Sequence, residues 1–287
     1  MEQKELITIG LTTWTDHPAL INHENRKVTL TEYAGHFPVV EVDTSFYGVP
    51  RISTVENWQK SVPEKFQFIL KANQLMTLHD GASVDDYLSD EHRLVFTDFK
   101  KMVRPLVKQD QLKTILFQFP PYFNCETANI RYLRDVRVLM GDLPIAVEFR
   151  NASWYDPAVR DETMLFLKKL GMTHVSVDEP SAVSNGVPLV DTVTNQNLAM
   201  LRLHGQNAKG WAEQGPNWRS TRTLYKYSEA ELQDFAKLVR KLESQVEEVC
   251  IIFNNNSGKD AAGNALRLKE ILGINFEGLG PLQLGLF

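Results

Sequence analysis

The chain has 287 residues, 43% of them hydrophobic and 23% charged, with a formal net charge of −5. This is the composition of an ordinary globular protein. It holds no run of about 18 apolar residues, which excludes a helical membrane span, and its acidic balance argues against strong non-specific nucleic-acid binding while leaving room for a local basic patch. The first ten residues, MEQKELITIG, are polar and acidic rather than a signal peptide, and two isolated cysteines, Cys125 and Cys250, make neither a disulfide framework nor a thiolate metal site, so the expected compartment is the cytoplasm.

Eight short apolar runs punctuate the chain: ITIGLTTW from Ile7, VVEVDTSFY from Val39, FQFILKAN from Phe66, TILFQFPP from Thr114, PIAVEFRN from Pro144, HVSVDEP from His174, LAMLRLHG from Leu198 and VCIIFNNN from Val249. Continuous apolar runs of this length read as strands buried on both faces. Between them the apolar residues fall at helical spacing over 51–62, 91–109, 126–140, 156–171, 228–246 and 261–273. Asn124 or Thr127 is placed to cap the third of these helices, and Pro157 and Gly171 to start and stop the fourth. Ser228 with Glu231 forms a capping-box signature for the fifth, and Gly273 ends the sixth. After the sixth strand, EPSAVSNGVPLVDTVTNQN has no helical period, and that crossover is predicted to be irregular. Strand–helix alternation at this spacing predicts an α/β fold: one TIM-like (β/α)8 barrel domain over 1–287, with a short flexible tail at about 278–287. Two long loops, about 77–90 and 205–227, are candidates for functional segments.

Nearly every apolar run closes in polar residues capable of chemistry, and in such a barrel the strand C-termini build the active site. The candidates for proton transfer and catalysis are Glu148, Asp178, His204 and Lys71. Arg150, Arg202, Glu41, Tyr47, Gln118, Asn254, Asn255 and Trp14 are the candidates for substrate binding. Lys71, Arg150 and Arg202 suit a phosphate or carboxylate, and Tyr47, Trp154 and Trp211 join Trp14 as possible walls. The aromatic and basic residues of the second loop, among them Trp211, Trp218, Arg219 and Arg222, are expected to border the pocket. The plain alternative is that some of these charges, Glu148 with Arg202 for example, are buried ion pairs serving structure alone. A divalent metal on Glu41, Glu148, Asp178 and His204 is the weaker reading, because Arg and Lys compete for the carboxylates; no cofactor is expected. GxGxxG, GxxxxGK and GxSxG are absent from the sequence, so dinucleotide, P-loop and hydrolase-elbow readings lack their carriers.

These residues lie in stretches that resemble the domain-of-unknown-function 72 family, also called YecE-like proteins. The matching segments are GLTTW (10–14), VEVDTSFYGVP (40–50), FILKAN with TLH (68–79), FQFPPYF (117–123), VEFRNASW (147–154), VDEP (177–180), LRLHG (201–205), YKYSEAEL (225–232) and FNNNSGKDAAGNA (253–265). They run in order along nearly the whole chain. Where family members carry GTSGW or similar, this chain has GLTTW. The resemblance implies a TIM-like barrel and supports the site's location, with no established reaction.

The pentapeptide Gln283-Leu284-Gly285-Leu286-Phe287 looks like the bacterial sliding-clamp-binding motif, usually QL(S/D)LF, with Gly at the third position as a departure. Leu284, Leu286 and Phe287 would be its apolar anchors and Gln283 its polar one; the alternative is that the apolar side chains fold back onto the barrel. Two readings of function follow. The first is an enzyme acting on a small anionic substrate, phosphorylated or nucleotide-like, by acid–base chemistry. The second is a non-catalytic accessory protein of DNA metabolism recruited through the clamp-like tail. A metal-dependent phosphodiesterase or nuclease would combine them.

Overall fold

In the computed structural model, which describes residues 7–21, 26–81, 90–183, 186–213 and 221–281, each apolar run forms a parallel strand. The strands are β1 (Ile7–Thr12), β2 (Val39–Val42), β3 (Gln67–Lys71), β4 (Leu112–Gln118), β5 (Ile145–Glu148), β6 (Thr173–Asp178), β7 (Ala199–Leu203) and β8 (Val249–Phe253). Each pairs with the next, and β8 returns to pair with β1, closing the barrel. One strand face meets the axis and the other the helix ring, so β1, β2, β5, β6, β7 and β8 are buried at every residue. That double burial is why the runs are continuous rather than alternating.

The outer helices are α1 (Leu30–Tyr33), α2 (Thr44–Tyr47), α3 (Ile52–Lys60), α4 (Asp90–Lys108), α5 (Thr127–Met140), α6 (Arg160–Lys169), α7 (Ala208–Ala212), α8 (Glu229–Glu243) and α9 (Ala261–Leu272). The Ser228 hydroxyl accepts from the Glu231 amide and the Glu231 carboxylate accepts from the Ser228 amide, so the capping box forms at α8. Gly171 and Gly273 end α6 and α9 with φ of 62° and 64°. Two predicted starts are corrected. Glu126 is the residue that precedes α5, without a side-chain cap, because the Asn124 carbonyl groups are taken by the Asn129 amide and its own amide by Glu126. Pro157 lies in a turn before α6 rather than in its first turn; there the Asp156 carboxylate accepts from Ala158 N, and the helix begins at Arg160.

Between β6 and β7 no helix occurs among the described residues, as the sequence predicts. Side chains hold this segment to the sheet instead. The Ser176 hydroxyl donates to Val190 O at 2.7 Å, and the Thr194 hydroxyl donates to Met172 O and accepts from His174 N. Among the described residues no helix is long and apolar enough to cross a membrane.

Register decides which charges share the barrel interior. Side chains paired across parallel strands point the same way. Thr12 pairs with Glu41, Glu41 with Ile69, Lys71 with Leu116, Gln118 with Glu148, Val177 with Arg202 and Arg202 with Ile252. Thr12, Glu41, Lys71, Gln118, Glu148 and Arg202 therefore all face the axis. At the opposite, N-terminal end, Lys113 pairs with Glu248, which also accepts from the Thr8 hydroxyl at 2.6 Å. Cys250 above this floor is fully buried, and burial pushes its thiol up to about 12, which leaves it inert.

Candidate functional site

At the centre of the barrel Arg202, 1% exposed, bridges two carboxylates. Its Nε and Nη2 donate to Glu41 Oε2 and Oε1 at 2.8 and 2.5 Å, and its Nη1 donates to Glu148 Oε2. Neither glutamate has any exposed surface. Glu148 Oε1 also accepts from Gln118 Nε2 at 2.6 Å and lies 2.6 Å from Arg150 Nε as an ion pair. Burial alone would raise Glu148, but Arg150 and Arg202 outweigh it and hold this carboxyl well below its usual range. Glu41 has one guanidinium to share where Glu148 has two; burial pushes it up to about 7 against the pull of Arg202. Burial of Arg202 is likewise outweighed by Glu148 and Glu41, and its guanidinium stays charged.

Two residues beyond Glu148 towards the mouth, Arg150 turns over this plug. Its Nη1 donates to Glu179 Oε2 at 2.5 Å and its Nη2 sits 3.2 Å from His204 Nε2. Arginine only donates, so His204 Nε2 accepts from Arg150, and Nδ1 on the far side of the ring lies 2.8 Å from the Asn254 side-chain amide. Burial, and after it the Arg150 charge, hold His204 well below its ordinary value, so the ring is neutral. Glu179 is ion-paired with Arg150 and accepts from one backbone donor, Val187 N at 3.0 Å; burial raises its carboxyl to about 7.

The rim adds more cations and rings. Lys71 Nζ lies 3.9 Å from Asp43 Oδ1 and 4.8 Å from the centre of the Phe46 ring. His79, edge-on to Phe46, bonds the Thr77 hydroxyl, and burial followed by the Lys71 and Arg150 charges lowers it to about 4. Across the opening Trp211 packs edge-on to His204, with the Arg222 guanidinium 3.6 Å over its ring and Arg150 5.2 Å away on the same ring. Gly205 lets the chain leave β7 here with φ 93°; a Cβ at this position would sit 2.3 Å from Tyr225 Cβ.

The structure thus brings together Glu41, Lys71, Gln118, Glu148, Arg150, Arg202, His204 and Asn254. Asp178 and Asn255 stand elsewhere. Asp178 points away from the axis, accepting from Tyr227 OH at 2.6 Å and Gln206 Nε2 at 2.5 Å; it anchors the segment that carries Arg222, and burial raises its carboxyl. Asn255 joins the same outer network through Asn264 and Tyr225 O. Trp14 packs edge-on to Trp58 on the helix side, Trp154 lies in the core stacked on Phe149, and Tyr47 is 63% exposed at the rim. Trp218 and Arg219 lie outside the described residues, as do 283–287. Glu179 and His79 are the site residues missing from the sequence-based set. Glu179 follows Asp178 at a strand end, and only the pairing of Val177 with Arg202 shows that 179 rather than 178 faces the axis.

Metal binding finds little support in this arrangement. Both glutamates of the plug are engaged by guanidinium groups and Asp178 faces the other way; among the described residues no group of three or more His, Cys, Asp or Glu is placed to hold an ion.

The closed barrel and its charged C-terminal mouth define a TIM-barrel protein with an ion-paired interior. The family model described as "Protein of unknown function DUF72" matches residues 8–284, and the chain belongs to that family. It is 41% identical over 285 residues to the UPF0759 protein YunF of Bacillus subtilis (strain 168), covering 98% of this chain and 100% of that one. A crystal structure of a DUF72 family protein from Enterococcus faecalis V583 superposes with a TM-score of 0.89 at 39% identity, over 97% of this chain and 99% of that one. A second, from Thermotoga maritima MSB8, does so with a TM-score of 0.78 at 28% identity, over 94% and 100% of the two chains.

Proposed function

We propose that the chain is a barrel enzyme that binds a small anionic molecule, phosphorylated or nucleotide-like, at the strand C-termini and transfers a proton there. The observation that carries this reading is the contact between Arg150 and Glu179: a mouth guanidinium paired with a buried carboxyl whose proton affinity lies near neutrality. Four cations, Lys71, Arg150, Arg202 and Arg222, meet four carboxylates, Glu41, Asp43, Glu148 and Glu179. With Glu41 and Glu179 both near 7, the balance at neutral pH leans to positive charge, which favours an anion.

An anion reaching Arg150 competes with Glu179 for Nη1. Glu179, still buried and now without its cation, takes up a proton and becomes a general acid beside the bound group. Glu148 and His204 hold Arg150 in place, while Gln118 and Arg202 fix Glu148. Lys71 supplies a second charge from across the mouth. Glu148, with its proton affinity held low, acts in this scheme as an anchor rather than as the proton carrier.

The test is thermal stabilisation by inorganic pyrophosphate and adenosine monophosphate at about 10 mM, with wild type beside Arg150→Gln and Lys71→Met. Wild type is expected to be stabilised, with calorimetric titrations in two buffers showing proton uptake. Both variants should lose most of the effect. Stabilisation that survives in Arg150→Gln, or none with either probe in wild type, would sink the reading.

A second reading concerns the pentapeptide at 283–287. Gly280 N donates to Ala34 O at 2.8 Å, which holds residues 277–281 against the N-terminal end of the barrel, away from the mouth. A clamp contact made from that end leaves the mouth open, so recruitment and catalysis are compatible. Deleting 283–287 should abolish capture by a sliding clamp and leave the melting temperature within a degree or so. A drop of several degrees would instead make the segment part of the fold.

A further inference from the structure

Outside the mouth, a groove of about 780 Å³ lies between α3 and α4. Lys60 of α3 and Lys101, Arg104 and Lys108 of α4 line it, against a single carboxylate, Glu56. In a chain of net charge −5 this is a local reversal of sign. On α4 the three cations recur at i, i+3 and i+7, so they form one stripe along the helix. Among the described residues, only Lys101 of the four has a carboxylate at ion-pair distance, Asp98 at 2.9 Å. The floor is fixed: Gln59 Nε2 donates to Pro105 O at 3.1 Å and to Gln111 Oε1 at 2.9 Å, tying α3 to α4 and to the segment that follows it.

We infer that this groove binds the sugar–phosphate backbone of duplex nucleic acid. Lys101 to Lys108 spans about 10 Å at 1.5 Å per residue, enough to face about three phosphates of one strand at 3.4 Å each along the helix axis. An acidic protein partner fits less well, since the groove lining contains no aromatic ring and only Ile52 and Pro105 as apolar surface, whereas protein interfaces are anchored by buried aromatic and apolar side chains. The stripe ends beyond Lys108, where Gln109 borders an adjoining surface at the N-terminal end of the barrel that carries Glu64, Asp110, Glu248 and Glu277 against Lys65. The inference is independent of the anion-binding reading of the mouth.

The experiment is fluorescence anisotropy of a labelled duplex DNA of about 20 base pairs, titrated with the full chain at several salt concentrations. Weak binding is expected at low salt, with a log–log salt slope of about −3 from three to four neutralised phosphates. Lys101→Gln/Arg104→Gln/Lys108→Gln should lose at least about tenfold in affinity and flatten the slope, while its melting temperature stays unchanged because the three residues are exposed. Arg150→Gln should bind DNA like wild type, which separates this result from any failure at the mouth. The inference is overturned if wild type does not bind at about 50 mM salt, if the triple variant binds equally well, or if a poly-glutamate peptide competes as effectively as unlabelled duplex, which would assign the groove to an acidic protein.

Discussion

Thr13 is a β-branched residue held at φ 59°, in the left-handed region, at the point where β1 enters the mouth. Its amide donates to Glu41 O at 2.8 Å, so the conformation continues the sheet pairing by one residue beside a plug carboxylate. Such a backbone costs about 1–3 kcal/mol for a β-branched side chain. In the GTSGW pattern of the family this position is glycine, for which the conformation carries no steric penalty. Thr13→Gly therefore removes strain at the expense of chain entropy, about 0.5–1 kcal/mol, and of the exposed Thr13 hydroxyl bond to Asp16 at 3.2 Å. The expected net effect is a stabilisation of about 1 kcal/mol, read as a raised denaturant midpoint with unchanged slope. A lowered midpoint would mean that the Asp16 contact, rather than the backbone, dominates this turn.

At the level of elements, the strands were legible because burial on both faces makes each a mainly apolar run, and α8 and α9 because their caps are local. Ser228 needs only Glu231, and a helix stop needs only Gly273. What escaped depends on partners far away in sequence. Glu179 differs from Asp178 by one position, and the choice between them rests on how β6 meets β7, some 25 residues later. Asp178 looked catalytic as a strand-end carboxylate, yet its partner Tyr227 is 49 residues distant. Trp14 and Trp154 were ambiguous for the same reason: a rim tryptophan and a core tryptophan have the same local pattern. His79 follows a left-handed Leu78 (φ 58°) beyond the end of β3, in a turn with no periodicity to announce it. Location of the site at the strand ends was therefore readable, and its roster was readable for those residues whose strand parity could be counted from Glu148 or Arg202.

Seen over the whole molecule, the buried ionisable groups set opposing pH dependences. His17, His79, His174 and His204 are all depressed below 6.5, chiefly by burial, with His79 and His174 at about 4. Below pH 6.5 the unfolded chain binds protons that these rings refuse, so stability falls as pH falls through that range. Glu41 and Glu179, raised to about 7, act the other way: between 4.5 and 7 the folded chain holds protons the unfolded chain has released, so their contribution is lost as pH rises. His36 is lowered and Asp178 raised in the same way; the rings therefore favour the folded chain as pH rises towards neutrality and the raised carboxyls oppose them, each net proton being worth about 1.36 kcal/mol per pH unit. His174 is the cleanest probe. It is fully buried against the Tyr155 hydroxyl at 3.0 Å and lies outside the mouth. His174→Gln keeps an acceptor for Tyr155 and removes one titrating ring. Denaturant unfolding of this variant between pH 6.5 and 5 should show a shallower fall than wild type, by about 1.4 kcal/mol per pH unit at most. An unchanged fall would show that His174 is protonated in the folded chain, and the acid sensitivity would then belong to the other lowered rings and to Glu148, whose carboxyl is held low between Arg150 and Arg202.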